Sequence, residues 1–190
     1  MIPTLSSSVE RGDFVEKQNR RTLPMIDYEL GADALNSAAA DYNSYLWTAE
    51  SDGSSVVVYR EGVDPVTVLT DTNITQISLG FDQTMRPHIA YIAGGVCKFY
   101  WYDTLAGSMQ TMTIPDGRSP RLCMDEKRGV FIASSDLILT YKVGTNVCVR
   151  VQRQRFQNEI VLATDQPGDI VIFGLNTKNR LQWKLVGAEP

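Results

Sequence analysis

Residues 88–103 read HIAYIAGGVCKFYWYD, and this stretch decides the fold. Two apolar runs, 88–93 and 96–103, flank the dipeptide Gly94-Gly95. Glycine adopts positive φ angles without a steric penalty, so a two-residue glycine turn between two strand-like runs predicts a β-hairpin. The centre of the chain is therefore expected to be antiparallel sheet.

Four consecutive aromatic residues lie on the second strand of this hairpin. Strand alternation places Phe99 and Trp101 on one face and Tyr100 and Tyr102 on the other. Both faces must then be covered, and neighbouring sheets of the same chain would cover them. The alternative is an aromatic contact with a glycan or a partner chain.

Similar hairpins recur along the chain with a period of about 41 residues. Aspartates follow one another at intervals of 41, 43 and 40 residues, and aromatic residues at intervals of 41, 41 and 42. The two sets are Asp41, Asp82, Asp125 and Asp165, and Tyr59, Tyr100, Tyr141 and Trp183. A period of roughly 40–45 residues built from short strands is typical of a four-stranded propeller blade. We therefore predict an all-β fold of four antiparallel meanders, propeller-like, with a β-sandwich as the alternative.

Each repeat is expected to contain an innermost strand before its aspartate and a fourth strand after its aromatic residue. The expected innermost strands are 35–40, 76–81, 121–124 and 159–164, and the fourth strands are 65–70, 108–114 and 147–153. Hairpin strands are expected at 45–50 with 56–61, 130–135 with 137–143, and 169–175 with 180–186. The last repeat lacks a fourth strand, so its sheet edge stays open unless residues 20–33 complete it.

The repeated aspartates are interpreted as structural turn residues. Each of them follows a strand and precedes a tight reversal, where an aspartate side chain can accept a downstream backbone N–H. No further oxygen ligand repeats beside them, so a metal or catalytic role is not indicated.

Residues 1–33 differ in composition from the β-repeat domain predicted over residues 34–190. They combine a short apolar start, a charge-dense stretch over residues 10–21 and an apolar patch over residues 23–28. Apolar residues at both ends of a polar segment suggest two docking points, so we interpret residues 1–33 as an extended N-terminal arm.

Composition excludes several classes of function. The 190-residue chain is 43% hydrophobic and 21% charged, and its formal net charge of −4 gives no footprint for nucleic acid. No apolar run approaches the roughly 20 residues that span a bilayer, so no membrane association is expected. Cys97, Cys123 and Cys148 are odd in number and lie in apolar runs, which predicts reduced core thiols.

The sequence offers no catalytic constellation. The single histidine, His88, has no recognisable nucleophile beside it, and phosphate-binding, dinucleotide-binding, metalloprotease and EF-hand motifs are all missing. The acidic pair Asp125-Glu126 and the residues Asp64 and Asp71 lie in expected turns. We therefore predict a protein that is not an enzyme and has no cofactor or metal.

Several residues are candidates for an interface. Arg150, Arg153 and Arg155 form the most basic segment, which fits a strand that begins in the core and runs out to a surface. Arginine pairs with carboxylates through a planar fork, so an acidic partner is expected there. Trp47 and Trp101 are the aromatic candidates for an interface.

Four segments together resemble a family of small virion proteins of tailed bacteriophages. They are GFDQTMRP at residues 80–87, HIAY at 88–91, KFYWYD at 98–103 and RVQRQRF at 150–156. The resemblance covers about residues 75–165 as a likeness of repeats. It implies a structural part of the tail or portal vertex, present in several copies and held by arms and sheet edges, without catalysis.

These readings predict a component of a virion that is assembled in the host cytoplasm. Its expected partners are other tail or portal-vertex proteins, and a homo-oligomer is expected within the virion. The alternative function is a host-receptor or glycan-binding β module that uses Trp47 and Trp101.

Overall fold

The fold is all-β in a computed structural model that describes residues 35–41, 45–82, 84–125, 136–175 and 181–187. Fourteen strands lie there in four antiparallel sheets, and these ranges contain no α-helix. The predicted arm over residues 1–33 and the predicted strand over residues 130–135 lie outside the described residues.

Each sheet is a meander whose strands follow one another along the chain. Sheet 1 contains β1 (Asn36–Ala40), β2 (Leu46–Ser51), β3 (Ser55–Arg60) and β4 (Val63–Thr70). Sheet 2 contains β5 (Ile74–Phe81), β6 (Pro87–Ala93), β7 (Val96–Asp103) and β8 (Ser108–Ile114). Sheet 3 contains β9 (Gly117–Asp125), β10 (Asp136–Val143), β11 (Asn146–Val151) and β12 (Ile160–Ala163), and sheet 4 contains β13 (Asp169–Leu175) and β14 (Leu181–Val186).

The hairpin predicted across Gly94-Gly95 is confirmed. Ala93 pairs with Val96, and the two glycines between them have φ angles of 58° and 77°. Positive φ at both central positions matches the twist of the flanking strands, which is why two glycines suit this turn.

Two parts of the predicted repeat register are wrong. Residues 159–164 are not an innermost strand, because β12 pairs with β11 at the outer side of sheet 3. Residues 147–153 are likewise the third strand of that sheet and not the fourth. The connection from β9 to β10 is longer than its counterpart in sheet 2, and this shifts every later position by one strand.

The aromatic series is displaced for the same reason. Tyr59 and Tyr100 lie on the third strands of their sheets, whereas Tyr141 and Trp183 lie on second strands. The even sequence spacing of these four residues therefore does not correspond to one structural position.

The first strands of consecutive sheets lie side by side, β1 against β5, β5 against β9 and β9 against β13. Serine hydroxyls join two of these pairs. The Oγ atom of Ser37 accepts the backbone N–H of Leu79 at 2.9 Å, and Ser78 accepts that of Leu122 at 3.0 Å. The described chain forms four sheets in succession, so it does not form the two sheets of the sandwich alternative.

Glycine permits the closest of these approaches. A Cβ atom added at Gly80 would lie 2.9 Å from Cβ of Leu122 and 3.0 Å from Cδ1 of Leu137. These distances are too short for carbon atoms, so β5 can pack this closely against sheet 3 only without a side chain at position 80.

Three apolar clusters fill the spaces between successive sheets. The first joins sheets 1 and 2, and the second joins sheets 2 and 3 around Phe99, Tyr141 and Phe156. The third joins sheets 3 and 4 around Val147, Ile170 and Phe173. The buried core is therefore divided into three clusters, one between each pair of successive sheets.

The hairpin connections give the array two distinct edges. The upper edge is the edge at which β1, β5, β9 and β13 begin. The lower edge is the edge at which these strands end. Of the described residues, the lower edge carries 41, 45, 61–62, 82, 84–86, 104–107 and 152–159, and the upper edge carries 52–54, 71–73, 94–95, 115–116, 144–145 and 164–168.

Candidate functional site

A buried aspartate organises the first turn of the lower edge. Asp41 Oδ1 accepts the backbone N–H of Tyr45 at 3.1 Å, and Oδ2 accepts Nε1–H of Trp47 at 2.8 Å. The backbone N–H of Asp41 in turn donates to the carbonyl oxygen of Tyr45 at 2.9 Å. Because its hydrogen bonds are made within the turn, Asp41 fixes the backbone and holds an indole beside it.

Asp82 makes a similar turn in sheet 2. Its Oδ1 accepts the backbone N–H and the hydroxyl of Thr84, at 2.8 and 2.6 Å, and the backbone N–H of Arg86 at 3.1 Å. In both turns, Oδ1 of the aspartate accepts the backbone N–H of the residue four positions later. Buried carboxylates that accept several N–H groups are structural caps, and they stiffen this edge.

The other two repeated aspartates differ. The side chain of Asp125 lies outside the described residues. Asp165 is exposed, follows β12 and has a φ angle of 55°, so it lies at the upper edge. The four aspartates therefore do not converge on one site.

His88 is buried behind the Asp82 turn. Its Nδ1–H donates to the carbonyl oxygen of Arg86 at 2.9 Å, and its Nε2 lies 3.9 Å from Oδ2 of Asp82. The ring packs against Phe99 at a centroid distance of 6.2 Å. Burial lowers the pKa of His88, because the charged imidazolium would lose its hydration there, although the Asp82 carboxylate opposes this effect. A neutral, enclosed imidazole cannot exchange protons with a substrate in solution.

An arginine stacks on an aromatic ring in each of the first three sheets, and in sheets 1 and 2 the pair lies near the lower edge. Cζ of Arg60 lies 4.4 Å from the ring centroid of Tyr45 and 5.1 Å from that of Trp47. Cζ of Arg86 lies 3.5 Å from the centroid of Tyr102. The third pair, at a longer 5.9 Å, is Arg150 with Tyr141. Such stacking orients the guanidinium groups of these arginines.

Exposed apolar side chains are concentrated at the same edge. Leu105 at the tip of the β7–β8 connection is 77% exposed, and Tyr45 at the start of β2 is 53% exposed. The other large exposed apolar residues within two positions of a lower-edge connection are Leu46, Val63, Met85, Ile160 and Val161. By contrast, Val96 and Val186 are the members of this group near the upper edge in the described part of the chain.

The connection between β11 and β12 reaches across sheet 2. Phe156 is fully buried, with its ring centroid 4.6 Å from that of Phe99 and 5.2 Å from that of Trp101. Its neighbour Arg155 bonds both carboxylate oxygens of Asp103, at 3.2 and 2.5 Å. Arg155 and Phe156 have φ angles of 52° and 55°, a strained left-handed conformation for side chains of this size. Packing of the phenyl ring and the ion pair hold that strain in place.

The interface candidates from the sequence occupy different environments. Trp101 is only 4% exposed, so its expected role as an exposed aromatic contact is wrong: it lies in the core between sheets 2 and 3. Trp47 is partly exposed under Arg60. Arg153 is exposed on the 152–159 connection, and Arg155 is partly exposed beside Asp103.

Arg150 points into the protein instead of to a partner. Its Nε–H donates to the phenol oxygen of Tyr141 at 2.6 Å, and an Nη1–H donates to the carbonyl oxygen of Phe156 at 2.9 Å. The Tyr141 hydroxyl donates to Oε2 of Glu159 at 2.6 Å, and burial together with this carboxylate raises the pKa of Tyr141. Arg150 therefore anchors the connection that carries Phe156.

Charged groups at the upper edge are engaged in bonds between segments. The Asp71 carboxylate accepts Nζ–H of Lys98 at 2.7 Å and the hydroxyl of Tyr91 at 3.1 Å, and the lysine lowers the pKa of Asp71. Lys142 is fully buried and donates to the carbonyl oxygens of Thr145 and Gln166, and burial lowers its pKa. These contacts tie the connections of the upper edge together.

The described residues give little indication of metal binding or of a reactive cysteine. No group of three or more histidine, cysteine, aspartate or glutamate residues in the described ranges could hold a metal ion. Burial raises the pKa of the Cys97 thiol to about 12 and that of Cys148 to about 11, so neither is a ready nucleophile. Across the same ranges, the structure contains no helix with the length and apolarity needed to cross a membrane.

The sequence missed the residues that define this edge. Tyr45, Arg86 and Leu105 belong to no repeated motif, and their stacking or exposure depends on where each turn ends. Leu105 offered one signal, since it is a large apolar residue in an otherwise polar turn. Phe156 offered another, since it is an aromatic residue directly after a basic run.

No family model, curated protein or solved structure matches this chain.

Proposed function

We propose that this protein is a structural component of a tailed-bacteriophage virion, docking onto other tail or portal-vertex proteins through the lower edge of its β body and through its N-terminal arm. The observation that carries the proposal is the concentration of exposed apolar side chains beside stacked arginines at one edge of the sheets. Exposed apolar side chains together with aromatic and arginine residues are typical of protein interfaces. The resemblance to small virion proteins supplies the class of partner.

The charges at the lower edge suggest the chemistry of that partner. Asp41 and Asp82 are buried and accept hydrogen bonds within their turns, whereas Arg60 and Arg86 are partly exposed above aromatic rings, with Nη1 of Arg60 3.9 Å from Oδ2 of Asp41. A partner surface with apolar residues and carboxylates would complement this edge. The arginines would fix register and the apolar residues, led by Leu105, would supply the buried area.

The four sheets are proposed to be successive blades of a propeller-like body. The ordered contacts of their first strands support this arrangement, since a propeller places the first strand of every blade next to that of the following blade. A rigid body of this kind presents all of its lower-edge turns in one direction. Several copies are proposed to assemble in the host cytoplasm as a homo-oligomer within the virion.

Virion membership is tested by sedimentation. Particles purified through a density gradient from a lysate that encodes the chain should contain it in a fixed ratio to the other virion proteins. Recovery of the chain only from the soluble fraction would refute the proposal.

The role of the lower edge is tested with a matched pair of variants. Leu105→Asp places a charge at the most exposed apolar residue of the lower edge, and Val96→Asp makes a comparable change at the upper edge. We expect Leu105→Asp to reduce the amount of chain in purified particles at least tenfold, the effect of removing about 1.4 kcal/mol of binding free energy. Val96→Asp should leave it unchanged. Equal incorporation of both variants would show that the lower edge is not the docking surface.

One observation favours a glycan-binding module as the second candidate. The exposed ring of Tyr45 lies near Trp47 under Arg60, and sugars are commonly bound on such aromatic surfaces. A saccharide array probed with the purified chain separates the two functions. Binding that disappears in Tyr45→Ala and persists in Leu105→Asp would establish the module, and the docking proposal expects no saccharide signal.

A further inference from the structure

The outer edge of sheet 2 is a long and regular strand. β8 pairs with β7 on one side, and none of the described residues pairs with its other side. All seven residues of β8 pair with β7 without a register shift. An edge strand directs the N–H and C=O groups of every second residue away from its sheet, and such groups readily accept another strand.

The edge of β8 has none of the features that normally prevent such pairing. Proline, charged side chains, β-bulges and short length all protect edge strands from other chains. β4 contains Asp64 and Pro65 and has two register shifts against β3, whereas β12 has only four residues and one shift. β14 contains Lys184 and also pairs with a register shift. Of the four outer strands in the described ranges, only β8 is uncharged, free of proline and regular throughout.

We infer that β8 is the contact between two copies of this chain, pairing antiparallel with β8 of the second copy across a two-fold axis. A two-fold contact uses the same surface on both copies, so it closes at a dimer. Pro115 directly follows β8 and has no backbone N–H, which ends the available edge at Ile114. A register centred on Thr111 pairs all seven residues of both strands.

The side chains of β8 suit pairing with the same strand. In the register centred on Thr111, Gln110 lies opposite Met112 of the second copy, and Met109 lies opposite Thr113. Both methionines are partly exposed in the single chain, and a neighbouring strand would cover more of their surface. Because β8 contains no charged residue, self-pairing brings no like charges together.

The other outer strands of a second copy fit this edge less well. Pro65 of β4 lacks an N–H donor, and the four residues of β12 would leave part of β8 unpaired. Pairing of β8 with β14 would use two different surfaces and leave one of each free, so copies would continue to add. A second β8 matches the first in length, regularity and neutrality.

Antiparallel pairing turns the lower edges of the two copies in opposite directions. β8 begins at the lower edge and ends at the upper edge, so its reversal in the second copy reverses the whole body. The dimer then presents one lower edge at each end and can join two partner surfaces. This consequence rests on the proposed docking through the lower edge, whereas the pairing of β8 does not.

The native mass of the purified full chain, measured by light scattering over a hundredfold range of concentration, tests the inference. We expect a reversible dimer. A monomer at every concentration would overturn the inference. A mass that keeps rising with concentration would overturn the two-fold pairing in favour of head-to-tail assembly.

Charge variants at the two-fold axis test the register. Thr111→Lys places two lysines opposite each other, and Thr111→Glu does the same with two glutamates, so each should raise the dimer dissociation constant at least about fivefold. An equimolar mixture of the two variants should restore the dimer. Thr67→Lys makes a matched change at an exposed position of β4 and should leave the dissociation constant unchanged. Equal weakening by Thr67→Lys, or no recovery in the mixture, would overturn the assigned pairing.

Hydrogen exchange identifies the strand in contact. We expect the outward amides of β8 to be protected at high concentration and to exchange at least about tenfold faster after dilution to the monomer. The amides of β6 should stay unchanged, which shows that the fold is intact. Equal exchange of β8 at both concentrations would overturn the inference.

The three measurements separate this inference from the proposed docking, because they use the purified chain without other virion proteins. A dimer in solution together with absence of the chain from purified particles would support the pairing and refute the docking. A monomer in solution that is incorporated into particles would do the reverse.

Discussion

The stability of the protein should fall between pH 6.5 and pH 5 because of one residue, His88. The chain contains a single histidine, it is fully buried, and burial lowers its pKa below the ordinary value of 6.5. As the pH falls, the unfolded chain therefore binds a proton before the folded chain does. The contribution of His88 is complete above pH 6.5 and is lost as the pH falls toward the pKa of the folded state.

The size of the effect has a firm upper limit. One proton bound only by the unfolded state changes the free energy of unfolding by at most about 1.36 kcal/mol per pH unit. Between pH 6.5 and pH 5 the largest loss is therefore about 2 kcal/mol. The depressed pKa values of Asp71 and Asp103 act below about pH 4, so they do not contribute in this window.

Urea denaturation at steps of half a pH unit measures how the free energy of unfolding changes with pH. The variant His88→Asn removes the titration and keeps an N–H donor near the position of Nδ1, which bonds the Arg86 carbonyl oxygen. We expect a lower overall stability for this variant but a flat profile between pH 6.5 and pH 5. If the stability of the wild-type chain is also constant between pH 6.5 and pH 5, the reasoning is refuted. That result would mean that the folded protein accommodates the charged imidazolium of His88.

Three further predictions concern packing and reactivity. Phe156→Ala should lower the free energy of unfolding by about 3–5 kcal/mol, measured by urea denaturation, because it empties the space between sheets 2 and 3. Gly80→Ala should lower it by about 1–3 kcal/mol, since its new methyl group would meet sheet 3, whereas Gly174→Ala, with open space around it, should be close to neutral. Cys97 and Cys148 should resist alkylation by iodoacetamide at pH 8 in the native state and react fully in denaturant, as followed by mass spectrometry.

The sequence predicted local structure better than register. Short hairpins could be located because their signals are local: Gly94-Gly95, for example, lies between two strand-like runs. Assignment of strands to sheets failed after Asp125, because the long connection before β10 moved Tyr141 from a third strand to a second. A period in sequence cannot reveal such an insertion, since residues on adjacent strands of a meander are similarly apolar.

The candidate surface was harder to predict, for a different reason. Exposure is a property of the assembled array, and alternation assigns a residue to a face without saying whether another sheet covers that face. Trp101 shows the difference: its strand pattern allows a surface position, but Phe156 from sheet 3 covers it. Arg150 is similar, since its basic neighbours suggested a surface while its own donors bond Tyr141 and Phe156.

The rigidity of the lower edge bears on the proposed docking. Binding is weakened when loops must be ordered at the interface, so a surface that is fixed in advance binds with a smaller entropic cost. Asp41 and Asp82 fix the first two turns from within, and Arg155 with Phe156 fixes the 152–159 connection despite a left-handed backbone that costs roughly 1–2 kcal/mol per residue. A strained connection held by a buried ring is expected where its position matters for a contact, and this one brings Arg153 to the edge that carries the exposed apolar residues.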